Sequence, residues 1–220
     1  MLERLTSPEL SPVLHGFFTR RGGASSGIFA GLNCGRGSSD QREAVAINRA
    51  RVADEMDVDK NALVGLNQVH SARAILVDAP HDDIPDADAL VTATPGLVLT
   101  VLTADCQPVL FADRKAGVVA AAHAGWRGAL DGVLDATIDT MEQAGARRTD
   151  IVAVIGPTIS QRNYEGGPEF MDTFLMNAPE NARFFVNGEG DRLQFDLPGY
   201  GLHRLRSAGV SHAEWTRHCT

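Results

Sequence analysis

Three stretches decide how this chain reads: Asp88-Ala-Leu-Val-Thr92, Thr103-Ala-Asp-Cys-Gln-Pro108 and His123-Ala-Gly-Trp-Arg-Gly128. Apolar runs lie among them, from Leu97 to Leu102, Val109 to Phe111 and Val118 to Ala122. Short runs of this kind, bounded by Gly, Pro or Asp, predict buried strands. Cys106 is then expected just past the end of one strand and His123 at the end of another. The earlier segment Leu63-Val-Gly-Leu-Asn-Gln-Val-His70 predicts a third strand ending in a histidine. Two imidazoles and one thiol are thus expected at strand ends, where a scaffold presents chemistry.

Working outward, residues 13–19 predict a strand that leads into Arg20-Arg21-Gly22-Gly23. Adjacent glycines and arginines suit an anion, because bare backbone amides and a guanidinium can both reach it. An ordinary solvated turn has the same composition, and composition alone favours the turn. Asn33 and Cys34 follow in a second glycine-rich turn. Residues 41–56 carry Val45, Ala46, Arg49, Ala50, Ala53 and Met56 at helical spacing, with Asp40 as expected N-cap and Glu43 completing a capping box. Strands are expected at 63–70 and 73–78. The Pro- and Asp-rich residues 80–88 predict a surface loop in which His81 is solvated. Residues 128–141 predict a helix buried through Leu130, Val133, Leu134, Thr137, Ile138 and Met141 and stopped near Gly145. Its positive N-terminal end follows His123 almost directly. Beyond it come a strand at 151–155, a helix within 164–177, a hairpin of 183–186 with 193–197 around Asn187-Gly188, a helix at 200–208 and a strand at 210–215.

Strands and helices therefore do not alternate regularly. The pattern predicts an α+β fold, a mixed β-sheet sandwich with flanking helices, in a single domain over residues 1–220. No Gly-x-Gly-x-x-Gly follows a strand, so a dinucleotide fold has no support. The net charge of −8 argues against nucleic acid as an obligate partner. Three widely spaced cysteines without Cys-x-x-Cys are no disulfide framework and favour a reducing cytoplasm. No signal peptide or membrane span is visible. The expectation is a cytoplasmic monomer that binds a small molecule, neither nucleic acid nor membrane.

His70, Cys106 and His123 make a donor set suited to zinc, with a fourth position left for water. Such a metal lowers the pKa of its bound water to about 7. The separations, 36 residues (106 − 70) and 17 residues (123 − 106), are too long to carry the argument alone. A buried structural cysteine and two strand-capping histidines are the ordinary alternative for each residue singly. A second reading needs no metal, with Cys106 as nucleophile and His123 as its base. Asp105 either orients a histidine or a water, or satisfies a turn. Arg127 either reaches a substrate anion or packs beside Trp126. Gln68, two residues before His70 on the same side of the expected strand, can contact a ligand or hydrogen-bond the site. Tyr164 and Glu165 are weaker candidates.

Taken with Phe18-Thr-Arg-Arg-Gly-Gly23, Asn67-Gln-Val-His-Ser71 and Ile155-Gly-Pro157, the three opening stretches resemble the motif series of a known family. That family was long labelled laccase-like or multicopper polyphenol oxidase. It is now associated with purine nucleoside phosphorylase and adenosine deaminase activity, and some bacterial members with peptidoglycan editing. The match runs along nearly the whole chain in order. The resemblance implies a catalytic zinc on His70, Cys106 and His123, and phosphate or substrate held by the Arg21 loop and its neighbours, among them Asn33. It also implies a fold related to toxin deamidases that use a Cys–His pair. The implied substrates are purine nucleosides (adenosine, inosine, methylthioadenosine) with phosphate. For deamination Asp105 is the candidate proton carrier; for phosphorolysis Arg21 and Arg127 are the candidate anion holders.

Two departures from the family pattern bear on this. Thr158 stands where the family usually has cysteine. The chain also ends at His218-Cys219-Thr220, where the resemblance implies an arginine-rich tail that would serve phosphate binding. Copper is the lesser expectation. A multicopper enzyme needs a histidine-rich cluster, whereas this chain has seven histidines and no His-x-His pair. Two further classes stay open: a metal-free Cys–His hydrolase or amidase acting on peptidoglycan precursors, and a non-enzymatic binding module.

Overall fold

A computed structural model of the chain describes residues 1–80 and 84–220, so the expected solvation of His81 falls outside the described residues. The centre is a six-stranded mixed sheet. Its strands are β4 (Ala74–Leu76), β5 (Ala89–Thr92), β7 (Gln107–Asp113), β8 (Val118–Ala124), β9 (Val152–Ile155) and β13 (His212–Trp215), in the order β13-β9-β7-β8-β5-β4. The two outer pairs are parallel, and the three inner pairs are antiparallel.

The period-2 rule divides its faces. Ala89 and Val91, Val109 and Phe111, Ala120 and Ala122, and Ala153 and Ile155 all face one large cluster. Onto that cluster pack α2 (Trp126–Asp131), α3 (Val133–Gln143), α4 (Pro168–Asn177) and α5 (Leu197–Ser207), through Leu130, Leu134, Ile138, Phe174 and Leu205 among others. Small β elements cover the opposite face. Phe17 of β2 (Phe17–Phe18), paired with β1 (Arg4–Leu5), packs on Ala112, Val152 and Val154. Val64 of β3 (Leu63–Val64), together with Leu97 and with Leu99 of its parallel partner β6 (Val98–Leu99), packs around Leu90. A third small sheet, antiparallel in the order β10 (Glu165–Gly166), β12 (Leu193–Phe195), β11 (Phe185–Asn187), instead joins the large cluster through Phe185 and Phe195. The α1 helix (Arg42–Glu55) buries Val52 and Ala53 against Leu63. The fold is therefore the expected mixed α+β arrangement.

Several boundaries differ from the sequence reading, each for a local reason. The expected strand 63–70 stops at Val64, and the run 97–102 keeps only Val98–Leu99 as strand. Cys106 accordingly does not follow a strand; it immediately precedes β7, whose second residue is Pro108. Asp40 does not cap α1. Its carboxylate accepts from Asn33 Nδ2 at 2.9 Å, and Gln41 takes the cap position. The helix read as continuous from 128 begins at Trp126 and is interrupted at Gly132, whose φ of 103° ends α2 in the left-handed region.

Candidate metal centre

The site lies on the sheet face opposite the large helices, at one end of β5, β7 and β8. Register builds it. The antiparallel pairing of Ala89 with Ala122 sets Asp88 beside His123, and His123 N donates to Asp88 O at 2.7 Å. The pairing of Gln107 with Ala124 sets Cys106 beside Gly125. His123 is therefore held by a strand, and Cys106 by the turn entering one.

His70 arrives differently. It occupies no strand, and its φ of 59° is left-handed, a conformation that costs a non-glycine residue about 1–2 kcal/mol. The amides of Val69, His70 and Ser71 all donate to the Asp88 carboxylate, at 3.3, 3.1 and 2.6 Å. These amides are spent on a side chain, so residues 69–71 do not extend a strand.

The three chemistry-bearing residues converge. One ligand atom each from His70, Cys106 and His123 lies within 4.8 Å of the others. Cys106 Sγ is 3.9 Å from His70 Nε2, and the two imidazoles meet edge to face with centroids 4.8 Å apart. His70 is exposed, Cys106 half-buried and His123 buried, so the cluster is open on one side.

The residues fit a metal ion by two observations. Two imidazoles and one thiol are the borderline-soft donors that zinc and copper prefer. The cradle is also kept clear by Gly125, where a Cβ would stand 2.8 Å from Cys106 Sγ and 3.0 Å from His70 Cδ2. Its φ of −65° and ψ of 170° suit any residue, so backbone conformation does not demand glycine there.

Burial depresses the His123 pKa, with the Asp88 carboxylate opposing and His70 reinforcing that shift. Nδ1–H donates to Asp88 Oδ1 at 2.8 Å, which leaves Nε2 bare toward the cluster. Burial would raise Asp88, but hydrogen bonds from His123 and Ser71 outweigh it and hold the carboxyl below its usual range. The Cys106 thiol is pushed up, first by burial and then by Asp105 and Asp88. Tyr164, half-buried and sensing the Cys106 and Asp105 charges, is pushed up to about 12, chiefly by burial.

The other sequence-derived candidates are engaged elsewhere. Asp105, exposed, accepts the Thr220 hydroxyl at 2.9 Å, while its carbonyl holds Ile159 N and Thr158 Oγ1. Gln68 shares no strand with His70; its amide pairs both ways with the backbone of Leu102, at 2.7 and 2.8 Å. Asn33 bonds Ser38, Asp40 and the Gly35 amide. Arg21 pairs with Glu3 at 3.2 Å. Arg127 is exposed, with its guanidinium 5.0 Å from the Trp126 ring centroid. A largely apolar cavity of about 860 Å³ begins at Asp105 and runs between the sheet and Phe17, Leu97 and Leu99; the three cluster residues do not line it. Asp88, which bonds His123 and the amides of 69–71, is the residue at this site that the sequence reading missed. The available signal was its place at the head of a strand whose register runs into His123.

The model of the family described as "Multi-copper polyphenol oxidoreductase laccase" matches residues 14–220. The chain belongs to that family. Within it, the chain is 49% identical over 208 residues to a Mycobacterium tuberculosis protein named purine nucleoside phosphorylase Rv2149c, covering 92% of this chain and 80% of that one. It is 42% identical over 209 residues to a Deinococcus radiodurans purine nucleoside phosphorylase, covering 95% and 80%. The crystal structure of the Neisseria meningitidis protein NMB0706 superposes with a TM-score of 0.88 at 35% identity, over 99% of this chain and 88% of that one. This membership matches the resemblance carried by the motifs. Among the described residues, no helix is long and apolar enough to cross a membrane.

Proposed function

We propose that the protein is a zinc-dependent purine nucleoside enzyme, carrying out phosphorolysis of adenosine, inosine and methylthioadenosine and hydrolytic deamination of adenosine. The observation that carries this reading is the convergence of His70, Cys106 and His123 around a cradle that a Cβ at Gly125 would fill. Relatives named purine nucleoside phosphorylase, 42% and 49% identical, support the substrate class. The same reading makes the protein a monomer in the cytoplasm, and three free cysteines are consistent with that reducing compartment.

When bound, the metal supplies Lewis-acid polarisation at neutral pH. The chain supplies the rest. His123 presents a bare Nε2 because Asp88 holds the proton on Nδ1. Tyr164 keeps its phenolic proton through the physiological range. Asp105, one residue before Cys106 and exposed, carries the proton between water and the purine amine. Arg127, its guanidinium 5.0 Å from the Trp126 ring centroid and exposed, is the candidate phosphate holder, with Arg21, paired with Glu3, as the second. Gln68 and Asn33 act by shaping their loops, since their amides are taken.

Metal-loaded protein incubated with inosine and phosphate is expected to give hypoxanthine and ribose 1-phosphate, and with adenosine to give inosine, adenine or both. Full metal occupancy with none of these products would overturn the reading. A metal-free Cys106 nucleophile is disfavoured by a specific observation. Burial and two carboxylates push its thiol up, whereas such a nucleophile needs its pKa lowered.

A further inference from the structure

We infer that Asp88 is a shared positioning residue that sets both imidazoles of the cluster at once, so the metal site assembles or fails as a unit. The inference rests on the metal-centre reading above and extends it to a residue outside the ligand set.

Five donors meet on this one carboxylate. Oδ1 accepts from His123 Nδ1 at 2.8 Å and from His70 N at 3.1 Å, and Oδ2 accepts from Val69 N at 3.3 Å, Ser71 N at 2.6 Å and Ser71 Oγ at 2.8 Å. Three successive amides around a left-handed residue form a nest, the backbone concavity that binds anions. Here the anion is the protein's own side chain. It is fully buried, and among the described residues its ion-pair partner is His123.

The consequences for the two histidines differ in kind. At His123 the carboxylate fixes the tautomer and the ring plane. At His70 it fixes the backbone, turning φ to 59° and aiming the side chain at Cys106. These are separate requirements for the same donor set, and one side chain meets both. Metal-ligating histidines commonly rest on such a partner, whose removal weakens metal binding about 10–100-fold. Serving two ligands from one carboxylate makes their losses non-additive.

The test has two arms. In metal-free wild-type protein with ¹⁵N-labelled histidine, His123 is expected to carry its proton on Nδ1 with Nε2 bare. In Asp88→Asn, with fold confirmed by circular dichroism, zinc affinity is expected to fall about 10–100-fold. Adding His70→Ala to that variant should then weaken binding by much less than it does in wild-type. A proton on Nε2 of His123, or an equal effect of His70→Ala in both backgrounds, would overturn the inference. Should Asp88→Asn fail to fold, the tautomer decides. Wild-type protein that takes up no metal sinks the metal-centre reading, while the tautomer still decides the role of Asp88. Metal uptake without nucleoside turnover sinks only the proposed activity.

Discussion

Gly125 decides whether the cluster has room. Its backbone angles are open to alanine, so Gly125→Ala tests crowding without the confusion of backbone strain. The added methyl would sit 2.8 Å from Cys106 Sγ, closer than a carbon and a sulfur tolerate. Overpacking of this kind costs about 1–3 kcal/mol, relieved here by pushing the thiol or His70 aside. The expected outcome is a folded protein that has lost its metal, checked by elemental analysis beside a melting curve. Retention of full metal content would show that the three side chains do not share an ion as inferred. Tyr164 gives a second test at this scale. Its phenol is pushed from 10.0 to about 12, so the folded state holds the proton where the unfolded chain releases it. The neutral form contributes stability below pH 10, and that contribution declines as pH rises from about 10 towards about 12. Denaturation of Tyr164→Phe across this window should show a shallower loss of stability than wild-type. Equal slopes would place the phenol in an ordinary, solvated setting.

Elements carry the site to the degree that hydrogen-bond ladders fix them, and this explains what the sequence revealed. His123 was legible because β8 is a Val- and Ala-rich run that ends in polar residues, whereas Cys106 was legible as chemistry but expected after the run 97–102 when it in fact precedes β7. His70 was legible as a chemical candidate but misplaced. Leu63, Val64, Leu66 and Val69 imitate a strand, while the amides at 69–71 are claimed by Asp88, 17 residues beyond Ser71 in sequence. No local pattern exposes a backbone segment folded onto a distant carboxylate, so Asp88 went unread although its motif was in view. Gly132 failed for the opposite reason. Leu130, Val133, Leu134 and Ile138 keep a helical stripe straight through it, and periodicity outvoted the glycine. Its φ of 103° joins α2 to α3 at an angle that alanine resists. Gly132→Ala is expected to destabilise the protein by about 1–2 kcal/mol in chemical denaturation. A neutral or stabilising result would mean that the two helices can merge into one.

At the scale of the whole molecule the question is whether residues 1–220 fold as one unit. The large cluster argues that most of the chain does, because it takes in Ala89 of β5, Leu134 of α3, Phe174 of α4, Phe195 of β12 and Val210 just before β13. Phe174 is fully buried at its centre, its ring 4.6 Å from that of Phe195 and 5.1 Å from that of Tyr200. Truncating such a ring costs about 3–5 kcal/mol, from lost transfer energy and the cavity left behind. The two tryptophans pack at the rim of this cluster, one at the start of α2 and the other at the end of β13. They therefore report on different parts of the same core. In Phe174→Ala, their fluorescence and the far-UV circular dichroism should shift together to lower denaturant in one coincident transition. A tryptophan transition separating from the helical signal would divide the chain into two cooperative units, because a loss at Phe174 would then no longer reach the strand that bears Trp215.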